Sequence, residues 1–96
     1  MDLRLLYHPQ VVADDLPRLD PPTRARIKRA IEYKLRRSPE QFAKPLAYTR
    51  AGLWSLRVGS WRVIFALRDD ELWVLRIGHR RDVYRDLDSR VPPVKR

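Results

Sequence analysis

His79, Arg80, Arg81, Tyr84 and Arg85 crowd into seven positions of the stretch LRIGHRRDVYRD, directly after an apolar run. Their side chains are suited to phosphate. Arginine binds it as a planar fork of donors, and its pKa above 12 bars it from acting as a base. Histidine, with an ordinary pKa near 6.5, carries a proton either way at neutral pH. Tyrosine, near 10, needs cationic neighbours to come lower, and it has them here. RNA can be cleaved by attack of its own 2′-hydroxyl. That requires removal of the hydroxyl proton, stabilisation of the phosphorane's charge and protonation of the leaving 5′-oxygen. The same residues also suit a solvated strand end, and local composition leaves both readings open.

The remaining composition narrows the field. The 96 residues contain no cysteine, which excludes disulfides and thiolate metal sites. His8 and His79 stand far apart without metal-ligand spacing, so neither a metal nor another cofactor is expected. No paired carboxylates or Ser-His-Asp order point to the common hydrolases. The start, MDLRLLYHPQ, lacks the apolar run of a signal peptide. No stretch approaches the ~18 apolar residues of a membrane helix. A cytoplasmic protein without a membrane partner is expected. Twenty-one Lys and Arg, mostly arginine, against twelve Asp and Glu give a net charge of +9, which favours a polyanionic or acidic partner.

These side chains must be positioned by a small α+β domain. Leu3, Leu5 and Tyr7 alternate as a short strand before His8-Pro9. Val11, Val12, Asp15, Leu16 and Leu19 have helical spacing, limited by Pro17. Asp20-Pro21-Pro22-Thr23 reads as a helix start. Ile27, Ala30, Ile31, Lys34 and Leu35 then mark one helix face, with Pro39 as the stop and most of the arginines outside. QFAKPLAYTRAG reads as a loop anchored by Phe42 and Leu46. LWSLRV and WRVIFAL, joined by Gly59-Ser60, predict a type II′ hairpin. A second turn at Arg68-Asp69-Asp70-Glu71 leads to LWVLRIG. An N-terminal strand, two helices on one face and an antiparallel sheet ending in a three-stranded meander follow, with the helices as the available cover. The segment after Asp88 reads as mobile, with residues 1–90 as one domain and 91–96 as a flexible basic tail.

A meander with short turns brings distant residues together. Pairing across Gly59-Ser60 sets Arg57 beside Arg62. The end of the last strand, at Ile77-Gly78, falls beside Trp61-Arg62, so His79, Arg80, Arg81 and Tyr84 should approach Arg62.

Taken together, FAKPL, LWSLRVGSWRVIF and ELWVLRIGHRRDVYR, with the leucine-rich first strand and the AIEYKL helix, resemble the RelE branch of the RelE/ParE toxin superfamily. The resemblance runs from about residue 3 to residue 87. It implies a microbial-ribonuclease-like fold and the toxin of a type II toxin–antitoxin system. The activity implied is that of an endoribonuclease cutting mRNA on the ribosome without metal. A cognate antitoxin would neutralise the toxin in a hetero-oligomer. By the same resemblance Arg62 and Arg80 steady the phosphate and transition state, and Tyr84 positions or activates the 2′-hydroxyl or stacks on a base. Arg57, Arg81, Lys44 and Arg85 are expected to contact RNA. Where RelE carries two catalytic lysines, this chain has Leu53 and Ser55, so His79 or Lys44 is left to move a proton. The alternatives are a ParE-like inhibitor of DNA gyrase and a catalytically weak RNA- or ribosome-binding module.

Overall fold

The computed structural model describes residues 2–46, 52–85 and 87–90. Its strands are β1 (Arg4–Tyr7), β2 (Lys44–Pro45), β3 (Leu53–Val58), β4 (Trp61–Arg68) and β5 (Glu71–His79). They form one sheet in the order β1-β5-β4-β3-β2. β1 runs parallel to β5, and every other pairing is antiparallel. The α+β class and the meander are as expected.

Turn chemistry sets the meander. Gly59 has φ +63° and Ser60 stays out of the left-handed region, the pattern of a type II′ turn. The second turn places Asp69 at φ 54°, a conformation that a non-glycine residue adopts at some cost. Between Ile64 and Phe65 the β4–β5 register shifts, with Ile64 facing Arg76 and Phe65 facing Val74. Leu75 is the extra residue of the resulting bulge, which turns β5 near its C-terminal half.

Helix α1 (Pro21–Ala30) starts where the sequence places it. Asp20 is the cap, its Oδ2 accepting from the Thr23 N–H at 3.4 Å, and Pro21 occupies the first turn. The helix continues through a wider, π-type turn at Ile31–Leu35. Ile27, Ile31 and Leu35 are fully buried, whereas Lys34 is exposed, with Nζ 5.6 Å from the Phe42 ring centre. Pro39 does more than stop this helix. It opens a short second one, α2 (Pro39–Phe42), at the position where its missing N–H costs nothing.

The sheet is covered on both faces, and α1 with its continuation through Leu35 lies on only one of them. Val11, Leu19, Ile27, Ile31 and Leu35 pack on Val63, Phe65, Leu72, Val74 and Ile77. On the other face Leu53, Ile64, Ala66 and Leu75 are covered by Val83 and Leu87, from the chain after β5. This second cover explains the near-continuous apolar runs of β4 and β5.

Residues 89–90 are held through Arg90, which is 5% exposed. Its Nη1 donates to Asp15 Oδ2 at 2.5 Å and to the Leu75 carbonyl at 3.2 Å. Asp15 Oδ2 also accepts from the Ile77 N–H at 2.9 Å. β1 pairs with β5 only as far as Val74, so the two side chains satisfy backbone groups that a longer β1 would have bonded. This corrects the mobile segment expected from Ser89. The tail expected at 91–96 lies outside the described residues.

Candidate functional site

A cavity of about 320 Å³ opens on the sheet face away from α1, lined by Phe42, Lys44, Pro45, Leu46, Ser55, Arg57, Arg62 and Tyr84. β3 and β4 build its floor. Arg57 lies directly opposite Arg62, and Ser55 lies opposite Ile64. With a side-chain period of two, Ser55 and Arg57 face the same way. β2 supplies the wall by pairing Lys44 with Ser55. The turn after β5 brings in Tyr84, which is 49% exposed.

Like charges directly opposed in an antiparallel ladder are destabilising. Here Arg57 faces Arg62, and Lys44 stands one strand further on. Among the described residues no carboxylate lines the cavity. Arg57 Nε reaches the Gly59 carbonyl at 3.4 Å, and Arg62 Nη1 reaches the Trp61 carbonyl at 3.5 Å. Both are long for hydrogen bonds, so toward the described residues the guanidinium groups keep most of their donor capacity. An anion with several oxygens, such as a phosphodiester, would relieve the repulsion and accept those donors. Half-burial of Arg62 strengthens that attraction relative to open water.

The structure gathers some of the expected residues and separates others. Arg57, Arg62, Lys44 and Tyr84 share the cavity. His79 does not. It pairs with Trp61 in the β4–β5 ladder, and its ring meets the Trp61 indole edge-on at 5.7 Å. Arg62 is opposed by Gly78, which turns the His79 and Arg62 side chains to opposite faces of the sheet. The Arg81 N–H donates to His79 Nδ1 at 3.3 Å. Arg80 is tied at its backbone, N–H to the Ser60 carbonyl at 2.9 Å, while its side chain is exposed and outside the cavity lining. Arg81 and Arg85 are exposed on the same turn, Arg85 within 3.7 Å of the Asp82 carboxylate. Sequence reasoning missed Ser55 and Phe42 as walls. The alternation of β3, which puts Ser55 two residues before Arg57, carried the first; nothing local carried the second.

The matching family model, the ParE toxin of type II toxin–antitoxin system parDE, spans residues 5–84. The chain belongs to the RelE/ParE toxin superfamily. It is a toxin of the type II toxin–antitoxin class, similar to Toxin RelG of Mycobacterium tuberculosis at 36% identity over 73 residues. That match covers 74% of this chain and 84% of RelG. Among solved structures, this toxin is similar to the Mycobacterium tuberculosis toxin–antitoxin complex RelBE2. The TM-score there is 0.75 at 27% identity, covering 85% of this chain and 95% of that one. The archaeal RelE–RelB complex of Pyrococcus horikoshii gives a TM-score of 0.62 at 27% identity, over 86% and 100% of the two chains. A free-state mutant of Escherichia coli toxin RelE shares the fold at 15% identity, with a TM-score of 0.73 over 95% of each chain. Among the described residues no helix is long and apolar enough to cross a membrane.

Proposed function

We propose that this toxin is a ribosome-dependent mRNA endoribonuclease that needs no metal, acts in the cytoplasm and is neutralised by a cognate antitoxin. The observation that carries the reading is the opposed pair Arg57 and Arg62 in a cavity shared with Tyr84, with no carboxylate among the described lining residues. In this reading Arg62 and Arg57 hold the scissile phosphate and stabilise the charge that grows on its oxygens as the 2′-oxygen attacks. Tyr84, half-exposed at the rim, orients the 2′-hydroxyl or stacks on the adjoining base. Arg80, Arg81 and Arg85 contact RNA backbone beyond the cut. In this reading His79, whose ring meets Trp61 on the other face, takes no part in the chemistry. The similarity to RelG and to the RelBE complexes supports both the activity and the antitoxin partner.

Induced expression followed by primer extension on a translated message tests this. New 5′ ends should cluster within codons and vanish when translation is arrested beforehand. Arg62→Ala should lower cleavage about 10²-fold, the usual cost of one preorganised charge-stabilising donor, and should relieve growth arrest. Unchanged toxicity in that variant counts against the reading. The absence of a cation at Leu53 and Ser55 favours a catalytically weak RNA- or ribosome-binding module, and the description of the matching family model favours gyrase inhibition. Inhibited supercoiling by purified gyrase, with mRNA intact, would select the latter.

A further inference from the structure

We propose that Lys44 is the proton donor to the leaving 5′-oxygen; the inference rests on the endoribonuclease reading above. Transphosphorylation forms the 2′-oxygen–phosphorus bond and breaks the phosphorus–5′-oxygen bond. The 2′-hydroxyl proton passes to solvent water, and the departing 5′-oxygen must take one up. Among the described residues lining the cavity, the ionisable side chains are Lys44, Arg57, Arg62 and Tyr84. Arginine as a residue type is not deprotonated in proteins and so is a poor proton donor. Lysine presents three donor hydrogens on a compact cation and can release one, to be reprotonated from water.

The fold fixes the Lys44 backbone beside the cavity floor. It pairs with Ser55 in the β2–β3 ladder, and Ser55 lies two residues from Arg57 on the same face. Directly opposed residues bring their Cβ atoms to about 5 Å, so the Lys44 ammonium and a group on Ser55 reach the same space. Pro45 follows, and a residue before proline is held extended. One step later the Leu46 N–H donates to the Leu53 carbonyl at 2.8 Å, fastening β2 on its far side. These restraints hold the Lys44 backbone at the cavity wall, and its side chain is exposed there.

Single-turnover cleavage of a ribosome-bound message separates the possibilities. Four proteins are compared: wild type, Lys44→Ala, Lys44→Arg and the double variant Lys44→Ala with Ser55→Lys, each with its thermal midpoint. Lys44→Ala should lose about 10²-fold or more in rate, the typical contribution of a positioned acid. Lys44→Arg should bind the ribosome as wild type does yet stay within tenfold of the alanine variant. The double variant, which moves the amine across the ladder, should recover at least tenfold. Wild-type rates in Lys44→Arg would show that charge alone suffices and would overturn the proposal, as would undiminished cleavage by Lys44→Ala. Failure of the double variant to recover would likewise overturn it. A wild-type protein that leaves the message whole would instead refute the endoribonuclease reading.

Discussion

Two side chains remote from the cavity decide how β5 ends. Asp15, 4% exposed, and Arg90 neutralise each other and satisfy the Ile77 N–H and Leu75 carbonyl. Removing one member leaves a buried charge without its counterion, which costs far more than the pair contributes. Asp15→Ala should therefore lower unfolding free energy by about 3–5 kcal/mol, read from urea denaturation, whereas Asp15→Leu with Arg90→Met should lose much less. The same pair acts on His8. Burial, followed by the Arg90 charge, holds its pKa below the ordinary 6.5, against a smaller opposing pull from Asp15. The folded state thus resists a proton that the unfolded chain accepts. His8 contributes fully above pH 6.5, and that contribution fades as pH falls from 6.5 through the lower folded value. The urea midpoint should drop over this window, and His8→Gln should flatten the drop. Asp20 and Glu71 are held low by hydrogen bonds from Thr23 and Trp73, so their losses begin only below their ordinary values of 3.8 and 4.5.

Among the elements, the second hairpin carries a visible strain. Asp69 adopts φ 54° between two strands that pair right up to Arg68 and Glu71. Asp69→Gly removes a clash worth about 1–2 kcal/mol, partly offset by the greater freedom of glycine in the unfolded chain. A net gain of about 0.5–1 kcal/mol should show as a raised denaturant midpoint with unchanged slope. The hairpins were legible beforehand because their turn residues and β-branched flanks act over a few positions, and the pairing of Arg57 with Arg62 followed from them. β2 was not legible. Two residues, one of them proline, carry no strand period, and their pairing is set by Leu46 and β3. Nor did the sequence reveal that Val83 and Leu87 cover the second face, or that Asp15 and Arg90 meet across 75 positions. Periodicity reports which side of an element is apolar and leaves its partner unnamed. The face that His79 takes was not legible for a related reason: nearness in register to Arg62 does not decide which face a neighbour takes.

At the scale of the molecule, net charge +9 on 96 residues makes any association with nucleic acid strongly salt-dependent. On single-stranded RNA each neutralised phosphate adds about 0.7 to the slope of log affinity against log salt. Arg57→Gln should therefore shallow that slope by somewhat under one unit, measured by filter binding across a salt series. The strand order has a different consequence, for synthesis. β5 lies second in the sheet between β1 and β4, yet it is made after every other described strand. Until it clears the exit tunnel, β1 has no partner, and neither the turn bearing Tyr84 nor Arg90 can dock. Until that turn has emerged, the cavity that gathers Arg57, Arg62 and Tyr84 lacks one of its walls.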